Sequence, residues 1–140
     1  MKRYLVFGIV LIITVLGNAC KKDSSSPTTS PTTEPLVGTW RISSFVKDSV
    51  ELASQFAGYT FTCNSSGVMT VAGHSNSYNC SWSYNDSNHS MCHFHMMGCD
   101  DNSILWECDD DWDLISHDAN NCHFTNHNPQ HHASMTWTKV

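Results

Sequence analysis

From Leu36 onward, large apolar side chains recur at every second position in run after run. Tyr59, Phe61 and Cys63 alternate with Thr60 and Thr62. Tyr78, Cys80, Trp82 and Tyr84 alternate with Asn79, Ser81 and Ser83. Cys92, Phe94 and Met96 alternate with His93 and His95. Trp112 and Leu114 flank Asp113, Cys122 and Phe124 flank His123, and Met135 and Trp137 alternate with Thr136 and Thr138. A period of two gives each run one apolar and one polar face, the pattern of a half-buried strand. Turn-forming stretches separate the runs: Asn64-Ser65-Ser66-Gly67, Gly73-His74-Ser75-Asn76, Asn85-Asp86-Ser87-Asn88, Asp118-Ala119-Asn120, and Asn126 to Gln130 around Pro129.

The reading is all-β, with about eight strands near 38–46, 58–63, 68–72, 77–84, 89–97, 112–117, 121–125 and 133–139. Helix is confined to short turns, within 48–56 and 102–107. Sequential short strands joined by tight turns favour an antiparallel up-and-down meander, and closing it into a barrel removes the exposed edges. A two-sheet sandwich is the alternative.

The N-terminal part reads as an address followed by a tether. Lys2 and Arg3 precede an apolar run from Tyr4 to Leu16, then small residues and Cys20. Residues 1–19 are therefore a signal peptide and stand outside the fold. The run is shorter than the roughly 18–20 apolar residues of a membrane-spanning helix. The stretch Leu16-Gly17-Asn18-Ala19-Cys20 resembles a bacterial lipoprotein signal, which implies lipidation of Cys20; Asn18 departs from the commonest form. Residues 20–35 are rich in Ser, Thr and Pro and form a solvated spacer. Lys21-Lys22-Asp23 is similar to the start of lipoproteins of the Bacteroidetes group. That likeness implies a cell-envelope address at the outer membrane, on either its periplasmic or its outward side.

Further residues carry a resemblance across 36–140. Gly38-Thr39-Trp40 opens the first strand. Tyr59-Thr60-Phe61-Thr62 leads into Asn64-Ser65-Ser66-Gly67. Ser81-Trp82 lies on a central strand, Asp111-Trp112-Asp113-Leu114-Ile115 precedes a hairpin, and Met135-Thr136-Trp137-Thr138-Lys139 ends the chain. In this order they resemble the lipocalin-like domains of bacterial lipoproteins. The resemblance implies that Trp40 plugs the closed end of a barrel and that Lys139 packs across it. It also implies a small, mainly apolar ligand within a wall of Tyr59, Phe61, Tyr78, Trp82, Phe94, Trp112, Leu114, Phe124 and Trp137. The same side chains can instead fill the barrel by packing on one another.

Cys63, Cys80, Cys92, Cys99, Cys108 and Cys122 make an even set in an exported domain, which favours disulfides. A three-residue turn at Asn85-Asp86-Ser87 would set Cys80 opposite Cys92, and Cys99 could pair with Cys108. No Cys-x-x-Cys motif supports a zinc or redox centre. Met91, His93, His95 and Met97 should share one strand face, with His117 and His123 outward on the next two strands. Imidazole and thioether donors suit copper, and imidazole suits zinc, so these residues form the alternative metal-binding set. His127, His131 and His132 fall on a turn near Pro129.

Asp109-Asp110-Asp111-Trp112-Asp113 fails the EF-hand pattern, because Leu114 stands where Gly is needed and Asn120 where Glu is needed. It reads as a solvated rim loop. No nucleophile elbow, phosphate-cradling loop or His-Glu-x-x-His helix occurs, so the chain is not expected to be an enzyme or to need a cofactor. With 7 basic against 13 acidic residues, it lacks the clustered cations that nucleic-acid binding requires. The expectation is a membrane-anchored carrier of a small apolar molecule. A copper- or zinc-binding envelope protein and a non-catalytic structural or interaction module are the alternatives.

Overall fold

The computed structural model describes residues 34–87, 90–99 and 103–140. Among them the chain forms β1 (Gly38–Lys47), β2 (Val50–Glu51), β3 (Thr60–Cys63), β4 (Val68–Gly73), β5 (Asn76–Asn85), β6 (Met91–His95), β7 (Asp111–His117), β8 (Asn121–Asn126) and β9 (Ala133–Lys139). Two 3₁₀ turns, Ala53–Phe56 and Ile104–Cys108, are the helical elements among these residues. Each strand from β3 onward pairs antiparallel with the next, β1 pairs with β3, and a β1–β9 ladder closes the sheet. The fold is a closed eight-stranded up-and-down barrel, with β2 a short flap beside β1.

Local chemistry explains the turns. Asn64 Oδ1 accepts from the backbone N–H groups of Ser66 and Val68, which bends the chain between β3 and β4. His74 and Ser75 both take positive φ between Gly73 and Asn76, which face each other across the ladder. Two central residues at positive φ are the mark of the two-residue turn that matches strand twist. Asp48 and Ser49 do the same between Lys47 and Val50 and so create β2, which the sequence reading did not expect. No glycine marks that site. Glu51 stabilises it instead, because its carboxylate accepts from the backbone N–H groups of Phe45 and Ala53.

The β5–β6 hairpin corrects one expectation. Tyr84 faces Cys92 and Asn85 faces Met91, so Cys80 does not stand opposite Cys92. Strand β5 runs on through Asn85, and the connection is therefore longer than three residues. Strand β6 is correspondingly shorter than the expected 89–97. Residues 88 and 89 fall outside the described residues, as do Cys20 and the stretch read as a signal peptide.

The inward faces make one core. Phe94 stacks on Trp137 with ring centroids 5.0 Å apart, Phe61 lies 5.0 Å from the same indole, and Phe124 meets it edge-on at 5.7 Å. Phe45 bridges Phe56 and Trp112 nearer the other end. Buried indoles also find polar partners, as they must. Trp40 Nε1 donates to the Leu36 carbonyl at 2.7 Å, Trp112 Nε1 to Cys108 at 3.1 Å, and Trp82 Nε1 to Asn64 at 3.1 Å.

Lys139 places its ammonium 5.4 Å from the centre of the Trp40 ring, where the resemblance put it. Gly38 permits this approach. Its φ is +143°, and a Cβ there would come within 3.2 Å of the Lys139 side chain.

Candidate functional site

The expected ligand wall is present as a packed set. Phe61, Trp82, Phe94, Trp112, Leu114, Phe124 and Trp137 are buried, and Trp112 and Trp137 have no exposed surface. Tyr59 and Tyr78 are half-buried at the edge of this cluster, Tyr59 edge-on to the His74 ring. These side chains point inward, as alternation requires, and they touch one another.

Two clefts open on the outside of the barrel, and neither is lined by a residue of that wall. The first encloses about 320 Å³ between Lys47, Trp106, Glu107, Asp109, Asp110, Asn126, His131 and Ala133. The second, about 380 Å³, lies beside Trp40 and Lys139 and includes Glu34, His117 and Asp118.

The first cleft is a polar site around an exposed indole. Ser103 caps the turn Ile104–Cys108 by accepting from the Leu105 N–H. That turn buries Leu105 and Cys108 and leaves Trp106 38% exposed. Beside it the Lys47 ammonium donates to Glu107, fixing the turn against β1. Asp110 accepts from the Asn126 amide at 2.9 Å and stands 2.9 Å from His131 Nδ1. Burial raises the Asp110 pKa. The Asn126 amide, the His131 ring and the Asp111 N–H outweigh burial and hold the carboxyl below its ordinary value.

The acidic run is ordered by histidines rather than simply solvated. His93 pairs with Asp111, His95 Nδ1 lies 3.4 Å from Asp109, and His127 Nδ1 lies 2.9 Å from Asp113. Asp109 also accepts from the Met96 N–H at 3.0 Å. A carboxylate only accepts, so the Nδ1 atoms that it contacts carry the protons. The sequence contained these partners as His-x-His on one strand and alternate aspartates on the next. The register that sets His93 opposite Asp111 was not legible.

The same register divides the expected metal set. Strand β6 meets β7 only from Asp111 to Asp113, whereas His117 ends β7. Six residues of strand separate His117 from the partner of His93, about 20 Å. A register shift between Leu114 and Ser116 further puts Ser116, not His117, opposite His123. His123 Nδ1 instead lies 3.1 Å from Thr136 Oγ1. Met91 is buried, while Met97 lies beyond the end of β6 and is 56% exposed. Met91, His93, His95 and Met97 therefore do not form one outward face. Among the described residues, no group of three His, Cys, Asp or Glu side chains is arranged to hold a metal ion.

The six cysteines are buried thiols in two sets. Cys63, Cys92 and Cys122 lie in the barrel interior on β3, β6 and β8. Burial pushes Cys92 up to about 12 and Cys122 up to about 11, and raises Cys63 further still. Cys80, Cys99 and Cys108 form the second set: burial and then Cys99 raise Cys80, and burial, Glu107, Cys99 and Cys80 raise Cys108.

No family model matches the chain, and no curated relative matches it. Its fold is similar to the crystal structure of a DUF4847 family protein from Bacteroides vulgatus. The TM-score is 0.55 at 10% identity, over 76% of this chain and 94% of that one. At that identity the likeness is one of fold.

Proposed function

We propose that the protein is a lipid-anchored envelope module of the lipocalin-like kind, non-catalytic, with its binding surface on the rim of the barrel. The observation that carries the reading is the packing of the lumen. Phe61, Phe94, Phe124 and Trp137 occupy the volume that an interior ligand would need. A guest would have to displace an indole that contacts three other rings, at a cost comparable to a large core truncation, about 3–5 kcal/mol. The Trp106 cleft needs no such displacement. An exposed indole among Glu107, Asp109, Asp110, Asn126 and His131 offers one apolar surface and several oriented polar groups. That combination suits a small molecule with a flat apolar face and hydrogen-bonding edges.

The membrane anchor rests on the lipoprotein-type signal before Cys20, and the Ser/Thr/Pro segment would let the barrel stand off the bilayer. The fold likeness to a protein from Bacteroides is consistent with the Bacteroidetes-type lipoprotein start.

The test expresses the full-length chain with its own leader in a bacterial host and supplies a labelled fatty acid. Acyl label and membrane recovery are expected for the wild type and should be lost in Cys20→Ala. Unlabelled, freely soluble wild-type protein would defeat the anchor. Native mass spectrometry from detergent tests the site. A co-purified organic molecule should disappear in Trp106→Ala; one that survives Trp106→Ala but not Trp137→Ala would return binding to the lumen.

A further inference from the structure

We propose that Cys80 and Cys99 form the disulfide of the exported protein, with Cys108 the reduced thiol beside it. The register expectation paired Cys80 with Cys92, and spacing suggested Cys99 with Cys108. The geometry points to another pair.

Cys80 stands on β5 one residue beyond Ser81, whose partner His95 ends β6. The chain then turns back. The Met97 N–H donates to the His95 carbonyl at 3.1 Å, and Gly98 takes φ +78°, which favours glycine. This turn brings Met97 and Cys99 over Cys80. The Cys80 thiol lies 3.9 Å from the Met97 carbonyl and is hydrogen-bonded to the Cys99 thiol. Both cysteines are nearly inaccessible, at 5% and 7% exposure. Cys108 is wholly buried, and Cys99 and Cys80 both lie close enough that their thiolates would raise its thiol. Its backbone carbonyl accepts from Trp112 Nε1 at 3.1 Å, which ties that residue to β7.

The chemistry is thiol–disulfide exchange with an oxidised dithiol of the exporting compartment. A thiolate of one cysteine attacks the donor disulfide and releases one donor thiol. The second cysteine then attacks the mixed disulfide. The protein gains one S–S bond, loses two protons, and leaves the donor as a dithiol, so atoms and electrons balance. Burial and the neighbouring Cys99 push the Cys80 thiol up to about 12, which leaves little thiolate once the barrel has closed. The bond therefore forms during folding outside the cytoplasm, and the sample must be the exported chain.

The bond has a local consequence. Cys99 shortly precedes Ser103, which caps the turn carrying Trp106 and Glu107. Tying Cys99 to β5 fixes one end of the chain that supplies this wall of the cleft.

Peptide mapping of the exported full-length protein tests the assignment. The protein is alkylated in denaturant without reductant and then digested. The expected result is a linked peptide pair containing Cys80 and Cys99, with Cys108 alkylated. A Cys99–Cys108 pair, a Cys80–Cys108 pair, or alkylation of both Cys80 and Cys99 would overturn it. Cys99→Ser should make Cys80 fully alkylatable while the linked pair vanishes. Because the wild-type map is decisive alone, poor folding of the variant does not rescue the proposal.

Discussion

Trp137→Ala is the most informative perturbation of this barrel. Trp137 has no exposed surface and contacts Phe61, Phe94 and Phe124. A Trp side chain buries about 200 Å², which at about 25 cal/mol per Å² corresponds to about 5 kcal/mol. Large-to-small core substitutions of this kind measure about 3–5 kcal/mol, so the two routes agree. A domain of this size has a total stability of about 5–15 kcal/mol, so the variant should lose a large fraction of it. Urea unfolding followed by far-UV circular dichroism measures the loss without relying on the tryptophan that was removed. The cavity left behind is lined by aromatic carbon and should stay dry, so added indole should refill it and raise the midpoint of Trp137→Ala but not of the wild type. A loss below about 1 kcal/mol, with no response to indole, would mean that the indole does not fill a packed lumen, and the argument would fail.

Other outcomes follow from the same structure. Lys139→Ala should cost about 0.5–1 kcal/mol by removing the cation over Trp40, and Lys139→Arg should retain most of it; equal losses in thermal unfolding would dismiss the contact. Asp110 has a lowered folded pKa, so its contribution is complete above the ordinary value of 3.8 and is lost as pH falls through the lower folded value. Asp110→Asn should therefore flatten the acid limb of the urea midpoint against pH, and an unchanged limb would contradict this. Cys92 and Cys122 should label with a thiol reagent only after denaturation, because burial holds them protonated; rapid labelling of the native protein would show that the interior is open.

Much of the barrel was legible because alternation is a local property. The inward aromatics of β3, β5, β6, β8 and β9 were identified before any pairing was known. The Trp40–Lys139 contact was legible only through resemblance, since nothing local ties residue 139 to residue 40. The failures concern register and reach. Extending β5 to Asn85 moved Cys80 away from Cys92. The shift at Leu114/Ser116 and the short β6–β7 ladder separated His117 from His93. The Trp106 cleft draws on β1, the second 3₁₀ turn and the residues around β8, so no sequence window contains it. Its one local clue was a large aromatic, Trp106, in a stretch without strand periodicity.

The central claim is that the lumen is filled and that binding belongs to the rim. Titration of the folded wild type with an environment-sensitive apolar naphthylamine probe tests it most directly, with Trp137→Ala as the comparison. The account predicts that any saturable uptake by the wild type is lost in Trp106→Ala, and that folded Trp137→Ala gains a one-to-one site that survives Trp106→Ala. Saturable one-to-one uptake by the wild type, abolished by enlarging a lumen-lining residue but not by Trp106→Ala, would contradict it.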